Sequence, residues 1–315
     1  TTALLYLDGV VYQPICEEMR KRLNAFEVDG IEDSGMIEYL TRKKKEGRFP
    51  VYQTTERPDR AAQAILEGRV VLLTDNSPEA LIFPATLNSL FQTADDYYRN
   101  ERIVTFLRLI RYVAAFLALA LPGLYVAAAT FHPQLLPGNL IRSMAEARSG
   151  VPFPTAAEVL LMELSFELLR EAGLRMPGPA GNTIGIVGGL IVGQAAVSAN
   201  LVSPITVTVA ALTALGSFSI PNEELSEVFR LWKYGILLLG SCFGILGVML
   251  GCFLLLMLMA EQESYGIPWL YPYVGGNLNE RADEKDSMFL AAARKRKSRP
   301  IFAKWGNRIR FRRKS

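Results

Sequence analysis

The chain has 315 residues, half of them hydrophobic, and its 34 Lys and Arg nearly balance 31 Asp and Glu. A single histidine and three scattered cysteines offer no His-based catalytic triad and no zinc-ligand cluster, and no Gly-Lys-Ser/Thr phosphate loop is present. The sequence therefore reads as neither an enzyme nor a holder of a metal or other cofactor.

The average hides two kinds of sequence. Residues 1–100 and 276–315 are charged and mixed, whereas 103–275 are mostly apolar. This patterning predicts a cytoplasmic α/β domain over 1–100, a helical integral membrane domain over 101–275 and a basic cytoplasmic tail over 276–315. The chain opens on Thr1-Thr2 without an initiator Met or a charged-then-apolar leader. The expectation is that no signal peptide is present and that upstream sequence of the first domain is missing.

Residues 3–11 read as a strand. Residues 14–26 read as a helix with Ile15, Met19 and Leu23 on one face. Asp33-Ser34 suits the start of a helix running to residue 39, and 41–49 is a basic loop. Pro58 suits the first turn of a helix running to residue 67 and ended by Gly68. Residues 69–74 and 79–83 flank Asp75-Asn76-Ser77-Pro78 as a hairpin.

A first membrane span is predicted over 103–131. Arg99, Arg102, Arg108 and Arg111 mark its cytoplasmic entrance, with Arg108 and Arg111 expected to snorkel toward headgroups. Pro122-Gly123 predicts a kink in mid-span. After a Pro- and Gly-rich loop containing His132, residues 155–174 form a helix carrying Glu158, Glu163, Glu167 and Glu171. Four acids make a simple spanning helix expensive, so an interfacial or re-entrant helix is expected. Glu163, Glu167 and Glu171 share one stripe, readable as a solvated face or as an acidic vestibule above a cation path.

Residues 182–220 contain no charge and are long enough for two crossings, broken at Ser203-Pro204. Gly185, Gly189 and Gly193 recur along one face, with polar Thr183, Gln194, Ser198 and Asn200 interleaved. Small residues at this spacing let helix backbones approach closely in lipid. The stripe is readable as internal packing or as the lining of an oligomeric pore, with Asn182, Gly185, Gly189, Gly193, Gln194 and Ser198 as candidates. Residues 221–233 read as a short charged loop and 234–260 as the last span, which also carries regularly placed glycines. The aromatic stretch 264–274 is expected at a membrane interface. The tail holds basic runs at 294–297 and 310–314, which predict contact with anionic lipid and a cytoplasmic C-terminus rather than nucleic-acid binding. With both termini inside, four spans and one non-crossing helix satisfy the count.

Five ordered blocks carry a resemblance: TERPDRAAQAILEGRVV (55–71), FQTADDYY (91–98), FPTAAEVLLMELSFELLREAGLRMP (153–177), GIVGGLIVGQAAVSANLVSP (185–204) and ESYGIPWL (263–270). Together they resemble the GerA-type spore germination receptor A subunit family, with stage V sporulation protein AF as a close paralogue of the same architecture. The resemblance implies a sporulating bacterium and location in the spore inner membrane. It implies partnership with a transporter-like B subunit that holds the nutrient and a lipoprotein C subunit. It further implies a homo-oligomer forming a nutrient-gated cation channel. The basic tail departs from the family pattern. Two other readings are a self-contained secondary transporter and a non-conducting scaffold of the receptor.

Overall fold

The structure, a computed structural model, describes residues 1–43, 46, 48–175, 179–274, 286–292 and 298–304. For helix residues 179–187 and 190 it describes the backbone alone. The architecture is mixed α/β, mostly helical, with a four-stranded sheet and a two-stranded one among the described residues. The chain forms two compact units. The first comprises Thr1–Tyr112, Pro221–Leu225 and Leu256–Ser315; the second comprises Val113–Ile220 and Ser226–Leu255.

The first unit is built on a four-stranded antiparallel sheet in the order β1-β3-β4-β2. Its strands are β1 (Thr2–Leu5), β2 (Gln53–Thr55), β3 (Val70–Thr74) and β4 (Ala80–Phe83). Alternation along a strand sends successive side chains to opposite faces, and both faces of the central pair are covered. Val70, Leu72, Leu81 and Phe83 face α1 (Gln13–Leu23) and α2 (Ser34–Thr41), joining Ile15, Met19 and Ile37 in one core. Val71, Ala80 and Ile82 pack instead against Ala64 of α3 (Pro58–Leu66). The expected hairpin forms, with Val70 opposite Phe83 and Leu72 opposite Leu81. Asp33 caps α2 by accepting from the Gly35 amide. Residues 6–11, expected to extend the first strand, turn away from the sheet, and Val11 bridges to Ala303 instead. The sequence reading did not find β2 or the short α4 (Leu87–Phe91).

Two expectations about lipid contact are corrected here. The aromatic stretch after residue 263 is not an exposed belt. It forms a small hairpin, β5 (Glu263–Ser264) with β6 (Ile267–Pro268), inside this unit. Trp269 is fully buried and donates its indole N–H to the Pro50 carbonyl at 2.7 Å. Tyr265 and Tyr271 join the core beside Phe302. Backbone partners within the domain satisfy the polar group that would otherwise favour a wet interface.

Arg108 and Arg111, on the first turns of α5 (Glu101–Thr130), do not snorkel. Arg108 is 1% exposed and pairs with Asp96 at 3.0 Å and Asp286 at 2.9 Å. Arg111 donates to both Asp96 oxygens, each at 2.9 Å. Burial raises the Asp96 carboxyl, but hydrogen bonds and charge from Arg111 and Arg108 outweigh it and hold the group below the ordinary carboxylate range. Residues 286–292 and 298–304 of the tail belong to this unit, whereas the basic runs 294–297 and 310–314 lie outside the described residues.

The second unit is helical. It contains the rest of α5, then α6 (Gly138–Arg148), α7 (Thr155–Arg175), α8 (Pro179–Ser198) and α9 (Pro204–Phe218). Most of α10 (Glu223–Phe243) and of α11 (Ile245–Glu261) complete it. Among the described residues, α5 is the helix long and apolar enough to cross a membrane, and α9 and α11 are shorter apolar helices. Pro122 lies inside α5 without ending it.

Residues 234–260 are not one span. Gly244, with φ +64°, reverses the chain, and α11 returns along α10: Gly251 lies against Ile236 and Gly240 against Val248. Residues 221–233, expected as a loop, supply the first half of α10. The remaining packing is alternately antiparallel. Leu169 and Met162 of α7 meet Gly188 and Ala196 of α8, in reverse order. A Cβ on Gly216 of α9 would stand 2.6 Å from the Ala114 carbonyl oxygen of α5, while Thr206 lies beside Tyr125. Backbones this close require a residue without a side chain.

Gly244→Ala places a Cβ in the left-handed region and 3.0 Å from His132 Cε1. It should cost about 1–3 kcal/mol. Gly235→Ala, whose Cβ meets nothing within 4 Å, should be neutral or stabilising by up to about 1 kcal/mol, since it lies inside a helix. Denaturant unfolding of both variants in detergent checks the contrast.

Candidate functional site

The chemistry of the helical unit concentrates where α7, α9 and α10 meet. Successive turns of α7 present Glu163, Glu167 and Arg170 on one side. Antiparallel to them, α10 presents Lys233 and Arg230. Lys233 donates to Glu163 Oε2 at 2.6 Å, and both side chains are buried. One turn further, Arg230 donates to Glu167 Oε1 at 2.6 Å. Beyond that, Arg170 donates to the Ser217 hydroxyl of α9 at 2.6 Å and lies over the Phe218 ring, 4.4 Å from its centroid. Glu163, Glu167, Arg170, Ser217 and Lys233 border a cavity of about 550 Å³ whose other walls are mostly apolar, including Phe166, Leu215 and Phe218.

The fourth acid, Glu158, is fully buried and ties loops to helices. Its Oε2 accepts from the Ser203 amide at 2.9 Å and the Thr206 hydroxyl at 3.1 Å, and its Oε1 accepts from Arg148 at 3.1 Å. Ser203 also accepts from the Thr206 amide, so the start of α9 is capped by its own hydroxyl and by a carboxylate. Glu171 is different: it is exposed and pairs with Arg175 on its own helix.

The acidic stripe thus divides. Glu163 and Glu167 are internal ties to α10, and Glu171 faces outward. Reading 221–233 as a loop hides the basic partners, which α10 carries. A signal for them existed: Phe229, Lys233, Ile236 and Gly240 recur at helical spacing, which places Lys233 on the buried face.

The glycine stripe also divides. A Cβ on Gly189 would stand 3.3 Å from Phe166 of α7, and one on Gly193 would stand 3.3 Å from Val207 of α9. Both glycines serve contacts within the unit. Gln194 and Ser198 are exposed on α8 and do not join the charged seam. The candidates Asn182 and Gly185 lie on the backbone-only part of α8, outside the described side chains.

Comparison with known proteins gives a consistent result. Residues 1–302 match the family described as Bacillus/Clostridium GerA spore germination protein. The chain is 40% identical over 289 residues to a Bacillus subtilis protein named Uncharacterized membrane protein YfkQ, covering 92% of this chain and 56% of that one. It is 39% identical over 270 residues to Spore germination protein A1 of the same organism, covering 86% and 56%. It is 38% identical over 270 residues to Spore germination protein KA, covering 86% and 50%. The chain therefore spans about half the length of these relatives. No solved structure matches.

Lys233→Met leaves Glu163 buried without a counter-charge and should cost about 3–5 kcal/mol. The double variant Glu163→Gln with Lys233→Met removes both charges and should recover most of that loss. Arg175→Ala, at an exposed pair, should change little. A double-mutant cycle by denaturant unfolding measures all three.

Proposed function

The chain belongs to the GerA family of spore germination proteins, and on that premise we propose that it is a membrane subunit of a germinant receptor. It assembles with further copies into a nutrient-gated cation channel, and its role is that of a receptor subunit, not an enzyme. Its partners are a transporter-like B subunit, which holds the nutrient, and a lipoprotein C subunit. The location is the spore inner membrane, with both termini cytoplasmic.

The observation that carries this reading is the division of labour on α8. Gly188, Gly189 and Gly193 are consumed by contacts to α7 and α9, while Gln194 and Ser198 are exposed. A polar amide on an otherwise apolar helix requires water or a partner in lipid. A second copy of the chain, or a water-filled path between copies, supplies either. Of the acidic vestibule candidates, Glu171 is the one exposed at the bundle surface.

The helix order supports six membrane segments rather than four: α5, α7, α8, α9, α10 and α11, each antiparallel to the next. Helix α7 joins them because Lys233 and Arg230 neutralise two of its acids. Helix α9 has only 15 residues, but Val209, Ala210, Thr213 and Gly216 are buried among its neighbours, so it does not face lipid alone. In the proposed mechanism, nutrient binding to the partner favours one packing of these helices over another, and the coupling equals the difference in affinity for the two states.

Single-channel current from the protein in planar bilayers tests this reading, wild type beside Gln194→Leu. The expected result is cation-selective current whose conductance falls by at least about twofold in the variant. Absence of current from folded oligomer would overturn conduction by this subunit and leave the scaffold role.

A further inference from the structure

The first unit buries two arginines from the block 55–71. Arg60 stands near the start of α3 and Arg69 just before β3, and each is only 3% exposed. Arg60 Nη2 donates to Gln53 Oε1 at 3.2 Å, but its Nε and Nη1 have no hydrogen-bond partner among the described residues. Arg69 Nε and Nη1 have none either. The carboxylate within ion-pair reach of Arg69 is Glu67 at 3.7 Å, too far for a hydrogen bond, and Glu67 already accepts from Gln63. Burial, only partly offset by Glu67, and the like charge of Arg60 bring the Arg69 pKa down to about 10. The guanidinium therefore stays charged at neutral pH in surroundings that disfavour the charge.

Buried N–H groups without acceptors are rare, and each costs its desolvation. Four of them on two neighbouring guanidiniums mark a place for an acceptor of opposite charge. The other buried carboxylates nearby do not supply it. Asp96 is held by Arg108 and Arg111, and Asp286 by Arg108 and the Tyr97 hydroxyl. The cluster is also closed. The Phe302 ring lies on Arg69, 4.4 Å from its centroid to the guanidinium carbon, and Arg299 Nε donates to the Leu66 carbonyl at 2.9 Å. All four nitrogens are shielded from solvent. An occupant must be small and must carry several acceptors on one negative centre. A tetrahedral oxyanion offers four oxygens to charge-assisted N–H donors, where chloride offers a single point of contact.

We propose that Arg60 and Arg69 form an enclosed site for one free oxyanion of the phosphate class, and that residues 298–304 close over it. The site lies within the first unit and depends on neither the membrane reading nor the channel reading. Arg60, Glu67 and Arg69 belong to a block that carries the family resemblance and to which conduction assigns no role. A bound anion would join α3 to β3 and make the stability of the unit depend on phosphate concentration.

Equilibrium dialysis of the full chain in a mild detergent against radiolabelled inorganic phosphate, with ionic strength held by chloride, tests the proposal. The expected result is saturable binding of one phosphate per chain, displaced by sulfate. Apparent Kd should rise at least about tenfold in Arg69→Met and in Arg60→Met. Arg57→Gln, a change to an exposed arginine beside the same helix, should bind as the wild type does. Thermal unfolding gives a second readout that does not rely on the variants binding. The wild-type Tm should rise with phosphate, whereas Arg69→Met should unfold no earlier than the wild type in phosphate-free buffer and show no phosphate dependence. Absence of saturable phosphate binding by folded wild-type protein would overturn the site and leave ordered water as the partner of these groups. Binding undiminished in both Arg69→Met and Arg60→Met would overturn it as an adventitious ion only. Displacement of phosphate by glycerol phosphate as effectively as by sulfate would overturn an enclosed free ion in favour of a phosphomonoester.

Discussion

The helical unit depends on the ion pair between Glu163 and Lys233. Neither charge is tolerable alone in an apolar bundle, where desolvation of a single ion costs several kcal/mol. Joined at 2.6 Å, they become a neutral, directional contact that fixes α10 alongside α7 in one register. Arg230 with Glu167 repeats the contact one turn away, which excludes the sliding that apolar helix faces permit. A buried pair contributes modestly to net stability, but it penalises every packing that separates the two charges. That is the property needed where helices must occupy discrete arrangements instead of a continuum.

Close backbone approach supplies the complementary constraint. Gly216 brings α9 against the Ala114 carbonyl, and Gly240 and Gly251 let α10 and α11 lie together after the turn at Gly244. Dispersion between such surfaces falls steeply with separation, so these faces hold as rigid seams. On α10 the two kinds of contact share the buried face, where Lys233 lies one turn from Ile236 and two turns from Gly240. Tight apolar seams join α5, α9, α10 and α11, and the polar seam joins α7 to α10.

Much of this was legible in the sequence because short-range periodicity carried it. The hairpin around residues 75–78, the helix opened by Pro58 and the capping role of Asp33 each depend on neighbours within a few residues, and each was found. The family was legible because its ordered blocks span the chain. What failed were choices that only tertiary contact decides. Arg108 at a span entrance reads as snorkelling until Asp96 and Asp286, far apart in the chain, meet it. Trp269 and its aromatic neighbours read as an interface belt until the Pro50 carbonyl receives the indole. The run 234–260 is apolar throughout, and one glycine with positive φ turns a single span into a hairpin. The acidic stripe looked too costly to join a bundle because its counter-charges sit some 60 residues later, on a segment read as loop. Of the candidate site, the positions of Glu163, Glu167, Gly189 and Gly193 were marked as important, but their partners were not.

The central claim is that α5, α7, α8, α9, α10 and α11 cross a membrane alternately, so that the loops at 149 and 200 share one side and the loop at 221 lies on the other. Single cysteines at Ser149, Asn200 and Pro221, placed in a background without Cys16, Cys242 and Cys252, can be treated with an impermeant maleimide in intact cells. The account predicts labelling of Ser149→Cys and Asn200→Cys from outside, and of Pro221→Cys only after permeabilisation. Labelling of Ser149→Cys and Pro221→Cys from the same side would contradict it.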